Sequence, residues 1–193
     1  MSIPTPPLPA KLVCSVLSAR FDTLWPATLA ALEERFGPAD SISDELAFDF
    51  TAYYDRELGT PIARRFLSFA RLVPQDGLIA AKLATNALET ALAGPDGRRR
   101  VNCDPGLLTQ ERLVLATGKN FTHRVYLGQG LYADLTLVFQ AGSWQTLPWT
   151  FPDYASPALR DILTAIRDRY RQDLREMSHH HHLLARTAPC PKA

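Results

Sequence analysis

The feature that most constrains the fold is a run of strand-like segments from residue 99 to 149 that no helical pattern interrupts. Apolar and polar residues alternate along it, and Gly128-Gln129-Gly130 and Ala141-Gly142-Ser143 predict turns between strands. Asp104-Pro105-Gly106 predicts one more turn, because proline fixes φ and glycine tolerates positive φ. Consecutive strands joined by short turns predict an antiparallel meander.

Before the meander, the pattern predicts strands from Lys11, Leu46 and Ala63, with helices over residues 22–37 and 76–94. A further helix over 156–173 begins with a capping Ser156 and Pro157. Most strands lack a following helix, so we expect a single α+β domain with a mostly antiparallel sheet and helices packed on one face. The order also fits a ferredoxin-like core, extended by the meander and a C-terminal helix.

The predicted domain covers residues 11–177, between two segments that lack a core-forming pattern. Residues 1–10 carry four prolines, which predicts an extended, disordered arm outside the core. Residues 178–193 are polar and aperiodic, so we expect a disordered tail. The histidine run at 179–182 is more typical of low-complexity sequence than of a metal site.

Composition limits the compartment and the partners. No apolar run approaches the ~20 residues that cross a bilayer, and the N-terminus lacks a signal peptide, so we expect a cytoplasmic protein without membrane contact. Lysine and arginine number 21 against 20 acids, so no global field attracts nucleic acid. Cys14, Cys103 and Cys190 show no paired spacing, which predicts free thiols. The sequence carries no phosphate-loop, dinucleotide or zinc motif and no signal for a cofactor, a metal or an oligomeric state.

Polar residues able to carry chemistry recur within the meander. His123, Asp104 and Asp134 are the candidate acids and bases, and cations beside them suit a phosphate or carboxylate. Two alternatives remain open: Asp104 caps its predicted turn, and the remaining residues form a solvated sheet face. The candidate ligand-binding residues of the meander are Asn102, Lys119, Arg124, Tyr126 and Tyr132.

Two further groups of candidate ligand-binding residues precede the meander. Lys82, Asn86 and Glu89 are spaced to share one helix face, which could close over the sheet or face solvent. Tyr54 and Glu57 lie in a segment with aromatic and acidic residues, where loop packing is the alternative explanation.

The chain resembles a family in the segments "TAYYDRELG", "KLATNALE", "RRVNCDPG", "LVLATGKNFTHRVYLGQGLYADLTL" and "LPWTFPDY". In order and spacing they are similar to the uncharacterised bacterial family catalogued as domain of unknown function 4416, over about residues 10–173. The resemblance implies little about function. Members are sometimes labelled GTP-binding, which this sequence does not support because it lacks a phosphate loop. Asp134 stands where the family usually has glutamate.

Two functions fit these observations. The first is a small enzyme or ligand-binding protein for an anionic metabolite, phosphorylated or nucleotide-like, which the cluster of histidine, arginine, lysine and aspartate would bind. The second, less favoured, is an RNA- or protein-binding adaptor without catalysis, in which Tyr126 and Tyr132 would stack on bases. The basic residues that would contact phosphates are Arg98, Arg99, Arg100, Arg112, Lys119 and Arg124. Whether the protein is an enzyme stays open at this point.

Overall fold

The computed structural model describes residues 2–187 of the chain. Over these residues it is a single α+β domain with nine strands and four α-helices. The strands are Ala10–Ser18 (β1), Ala39–Ile42 (β2), Leu46–Ala47 (β3), Ala63–Val73 (β4), Asn102–Leu108 (β5), Arg112–Thr117 (β6), Arg124–Gly128 (β7), Leu131–Gln140 (β8) and Ser143–Thr146 (β9). The helices are Phe21–Phe36 (α1), Asp55–Leu58 (α2), Leu78–Ala91 (α3) and Pro157–Thr187 (α4).

All strands belong to one antiparallel sheet, in the order β2-β4-β1-β5-β6-β8-β7. β3 pairs with β4, and β9 pairs with β8. The fold class predicted from the sequence is therefore confirmed. With α1 and α3, the strands β5-β1-β4-β2 form the ferredoxin-like core, and β6 to β9 extend it as the meander.

Helices cover both faces of the sheet, whereas the sequence pattern placed them on one. Leu12, Cys14 and Val16 of β1 pack in the core that also contains side chains of α1 and α3. Val13, on the opposite face, packs in a second core with Leu163 and other residues of α4. β1 is buried at all nine positions, because each of its faces is covered by a helical layer.

Several local predictions were wrong. Asp104-Pro105-Gly106 does not turn but continues within β5, where it pairs with β1. Proline is compatible with the strand here because β5 has no partner on its other side at Pro105. The strand predicted from Leu46 ends at Ala47, and the chain then leads into α2. β2 was not predicted. Its four residues carry no continuous apolar pattern.

At the C-terminal end, α4 continues past Asp173, where the predicted helix ended, and includes residues 178–187 of the predicted disordered tail. Proline is absent from the sequence between Pro157 and Pro189, so nothing in the backbone stops the helix earlier. The prediction for residues 188–193 lies outside the described residues.

At the N-terminal end, residues 2–9 form no helix or strand. The carbonyls of Leu8 and Pro9 accept hydrogen bonds from Gln75 and Tyr170. The prediction that residues 1–10 are disordered stays a prediction. Within the described part of the chain, none of the helices has the length and apolar character that crossing a membrane requires.

Candidate functional site

The candidate site begins where β6 separates from β5. The two strands pair only from Gly106 to Leu108, so the preceding residues of β5 have no partner on this side. Pro105 has no N–H to donate. A Cβ on Gly106 would lie 2.7 Å from the side chain of Leu115, so glycine lets β6 approach closely at the last paired position. Beyond this point the sheet has a gap.

Two side chains of α3 replace the missing strand partner. The N–H of Cys103 donates to Glu89 Oε1 at 2.7 Å, and its carbonyl accepts from Lys82 Nζ at 2.9 Å. Both α3 residues are buried. The pair therefore satisfies the backbone of β5 at the gap, which is a structural role that the sequence pattern alone did not indicate.

The same lysine extends through the gap to Asp104 on the other face of β5. Lys82 Nζ donates to Asp104 Oδ1 at 3.0 Å, and Asn102 Nδ2 donates to Oδ2 at 2.6 Å. Burial opposes the charge on Lys82, but Asp104 and Glu89 outweigh it, so the pKa of Lys82 is raised. The side chain of Asp104 stays 31 % exposed, so its remaining lone pairs can accept hydrogen bonds from a ligand.

Arg99 connects α2, α3 and β5. Its Nε and Nη2 donate to the two carboxylate oxygens of Glu57, both at 2.6 Å. Its Nη1 donates to Glu89 at 2.8 Å and to Asn102 at 2.9 Å. The hydrogen bonds from Arg99 lower the pKa of Glu57, and those to Glu57 raise the pKa of Arg99. Under the less favoured RNA-binding function, Arg99 would contact phosphates, but its guanidinium is bound to Glu57 and Glu89. No local signal points from it to Glu57, 42 residues earlier.

Tyr54 and Lys119 lie at the edge of this network. Burial, and after it the nearby Asp104 charge, raises the pKa of Tyr54 to about 12, so its phenol is protonated at neutral pH. The ring of Tyr53 contacts Tyr54 edge-on. Lys119 Nζ lies 4.0 Å from the centre of the Tyr53 ring, and its charge contributes to the lowered pKa of Glu57. Lys119 thus brings a solvent-exposed cation beside the network.

The second cluster lies on the hairpin of β7 and β8, where Arg124 pairs with Asp134. Asp134 Oδ2 accepts from Arg124 Nε at 2.8 Å, and His123 Nε2 lies 3.3 Å from the same oxygen. Arg124 Nη1 donates to the carbonyl of Lys119 at 2.9 Å, which connects the two clusters. The ring of His123 stacks on Trp149 at 5.0 Å between centroids, and only 10 % of the side chain is exposed.

Three of the candidate residues take no part in these networks. Tyr126 and Tyr132 face each other across the hairpin, with ring centroids 5.2 Å apart, as the register predicted. Asn86 is exposed, and its side chain makes no hydrogen bond within the described residues. No group of three or more histidine, cysteine or acidic side chains is placed to hold a metal ion over the part of the chain that the structure describes.

A buried ion pair lies on the same face as Asp104 and has no counterpart among the candidates. Arg64 bonds to Asp153, and both side chains are almost fully buried. The guanidinium of Arg64 lies 5.0 Å from the ring centres of both Phe48 and Tyr154. These contacts fix the segment before α4 against β4, so the pair supports the face on which the candidate site lies.

Comparison with known proteins gives one match. The model of the family described as "Domain of unknown function (DUF4416)" matches residues 8–170. No curated protein and no solved structure matches the chain.

Proposed function

This chain belongs to the DUF4416 family, and we propose that it is a cytoplasmic protein that binds a small anionic metabolite at the gap between β5 and β6. One observation carries the proposal. Lys82, Asn102 and the Arg99 network hold the Asp104 carboxylate in one orientation, yet leave it partly exposed. Titratable groups whose pKa is shifted by burial and by a specific charge partner cluster at functional sites, and Lys82 beside Asp104 is such a group.

The chemistry of the ligand follows from the groups that face solvent here. Asp104 can accept a hydrogen bond from a hydroxyl or amino group. Lys119 is exposed, and Arg124 uses Nε and Nη1 within the protein, so its Nη2 has no partner over the described residues. A phosphate or carboxylate fits these two cations. We therefore favour an anionic metabolite with a hydroxyl or amino group close to its anionic group, such as a sugar phosphate or nucleotide.

RNA binding has less support. Arg99 is bound to Glu57 and Glu89, so its guanidinium is not available for phosphate contacts. Arg112 lies at the other end of β6 from the gap, where it pairs with Glu111. Of the basic residues considered for RNA binding, Arg99 is therefore unavailable, and Arg112 lies away from the gap.

The test is a thermal-shift screen against sugar phosphates, nucleotides, small dicarboxylates and a single-stranded RNA at low salt. A ligand at one hundred times its dissociation constant stabilises the protein by about 2.7 kcal/mol. We expect a hit among the small anions that Asp104→Asn and Lys119→Ala both lose.

Asp96→Asn and Arg98→Ala serve as matched controls, because this exposed pair lies in the loop after α3, and both variants should keep the hit. A hit that persists in Asp104→Asn and Lys119→Ala would place the site elsewhere. A hit with RNA alone would favour the adaptor function. If the protein also converts the bound ligand to a product, it is an enzyme, with Asp104 or His123 as the proton acceptor.

A further inference from the structure

The strand β7 forms an outer edge of the sheet. Over the described residues it pairs only with β8, so the backbone groups on its outer side have no strand partner. The pairing with β8 is regular from Arg124 to Tyr126 and shifts at Leu127. An unpaired edge of this kind is a template for another strand.

Apart from the register shift near its end, β7 lacks two features that commonly protect an edge strand. It contains neither proline nor lysine. Its single charge, Arg124, bonds to Asp134 of the neighbouring strand. Val125 is 67 % exposed and Tyr126 is 60 % exposed. Because successive side chains of a strand point to opposite faces, both faces of β7 carry an exposed apolar or aromatic side chain.

We propose that β7 pairs with β7 of a second copy of this chain, antiparallel and across a two-fold axis at Val125. In this register Val125 faces Val125 of the other copy, and Arg124 of each copy faces Tyr126 of the other. The valine pair covers the most exposed apolar side chain of the strand, and an arginine beside a tyrosine ring is a favourable cross-strand pair. No like charges meet, so the strand is self-complementary in the sense that a two-fold interface requires.

The opposite edge of the sheet is a poorer candidate for the same pairing. β2 has four residues, a register shift after Ala39, and Asp40 within the strand. The Asp40 carboxylate bonds to Lys11 and Ser68, so the irregularity near the start of this short strand is what limits edge pairing. Ile42 of β2 is 41 % exposed, which makes it a matched control position on the other edge.

The proposal is tested by sedimentation equilibrium and light scattering over a range of protein concentrations. The full chain should form a dimer of twice the 21.5 kDa of one chain. Val125→Lys and Val125→Glu each place two like charges face to face across the axis, and should weaken the dimer about 100-fold. Ile42→Lys should leave it unchanged. A wild-type chain that stays monomeric, or an Ile42→Lys chain that loses the dimer, would overturn the proposal.

Mixing the two charged variants tests the register. Lysine then faces glutamate across the axis, so an equimolar mixture of Val125→Lys and Val125→Glu should recover the dimer. Recovery also shows that each variant is folded. Two variants that stay dimeric alone, or that fail to associate when mixed, would contradict pairing through Val125. Binding of a metabolite does not enter this measurement, so its outcome is independent of the proposed function.

Discussion

Lys82 Nζ lies 3.0 Å from Asp104 Oδ1, although α3 packs on one face of the sheet and Asp104 belongs to the other. The two meet because β6 has left β5 at Gly106, and the gap admits one long side chain. The charged part of the candidate site is therefore built on a defect in the sheet. Its geometry depends on residues of both faces.

Replacing Lys82 by methionine should destabilise the protein by about 3–5 kcal/mol, because the buried Glu89 carboxylate and the Cys103 carbonyl would lose a partner. The free energy of unfolding in urea measures this loss. Lys119→Met removes an exposed lysine instead, and should change stability by less than about 0.5 kcal/mol. Equal effects of the two substitutions would contradict the structural role of Lys82.

Arg99→Lys keeps the charge but cannot supply the three nitrogens that bond Glu57, Glu89 and Asn102 together. We expect a loss of about 1–3 kcal/mol, because Glu89 is buried and would be left partly unpaired. Urea unfolding of the variant gives the number. Arg98→Lys, at the exposed position next to Arg99, should leave the free energy of unfolding unchanged. Similar losses in both variants would show that the planar guanidinium of Arg99 is not the source of the stabilisation.

The sequence predicted the parts of the fold that rest on local patterns. Alternation and the glycine turn at Gly128-Gln129-Gly130 predicted the hairpin on which Arg124 meets Asp134, and helical spacing put Lys82 and Glu89 on one face. Contacts between segments far apart in the sequence could not be predicted, because no local spacing pattern accompanies them. The bond from Arg99 to Glu57 closes a separation of 42 residues, and no spacing rule applies over that distance.

The prediction at Asp104-Pro105-Gly106 failed for a tertiary reason. Proline and glycine are typical of turns, but here Pro105 lies where β5 has no partner to receive an N–H, and Gly106 lies where β6 comes too close for a Cβ. The same two residues thus mark the start of the gap. Their usual preference for turns is therefore overridden by the packing of β6 against β5.

Gly106→Ala should separate β5 from β6. The new Cβ would lie 2.7 Å from the side chain of Leu115 and 2.9 Å from the carbonyl oxygen of Val114. Backbone cannot move as easily as a side-chain end, so we expect a loss of about 1–3 kcal/mol in urea unfolding. Gly118→Ala is the matched control, since a Cβ there meets nothing within 4 Å. A neutral Gly106→Ala would contradict the close approach of β6.

The free energy of unfolding should fall as the pH is lowered below the ordinary pKa of glutamate, about 4.3, in part through Glu57. Hydrogen bonds from Arg99 lower the pKa of Glu57 in the folded state, so the unfolded chain takes up a proton first. Stability from this group is therefore present above pH 4.3 and is lost as the pH falls through the folded value. Urea unfolding at a series of pH values should show a smaller fall for Glu57→Gln. Arg99→Lys should reduce the fall as well, because it removes the cause of the shift, and identical pH profiles for all three proteins would show that the pair between Arg99 and Glu57 does not form in solution.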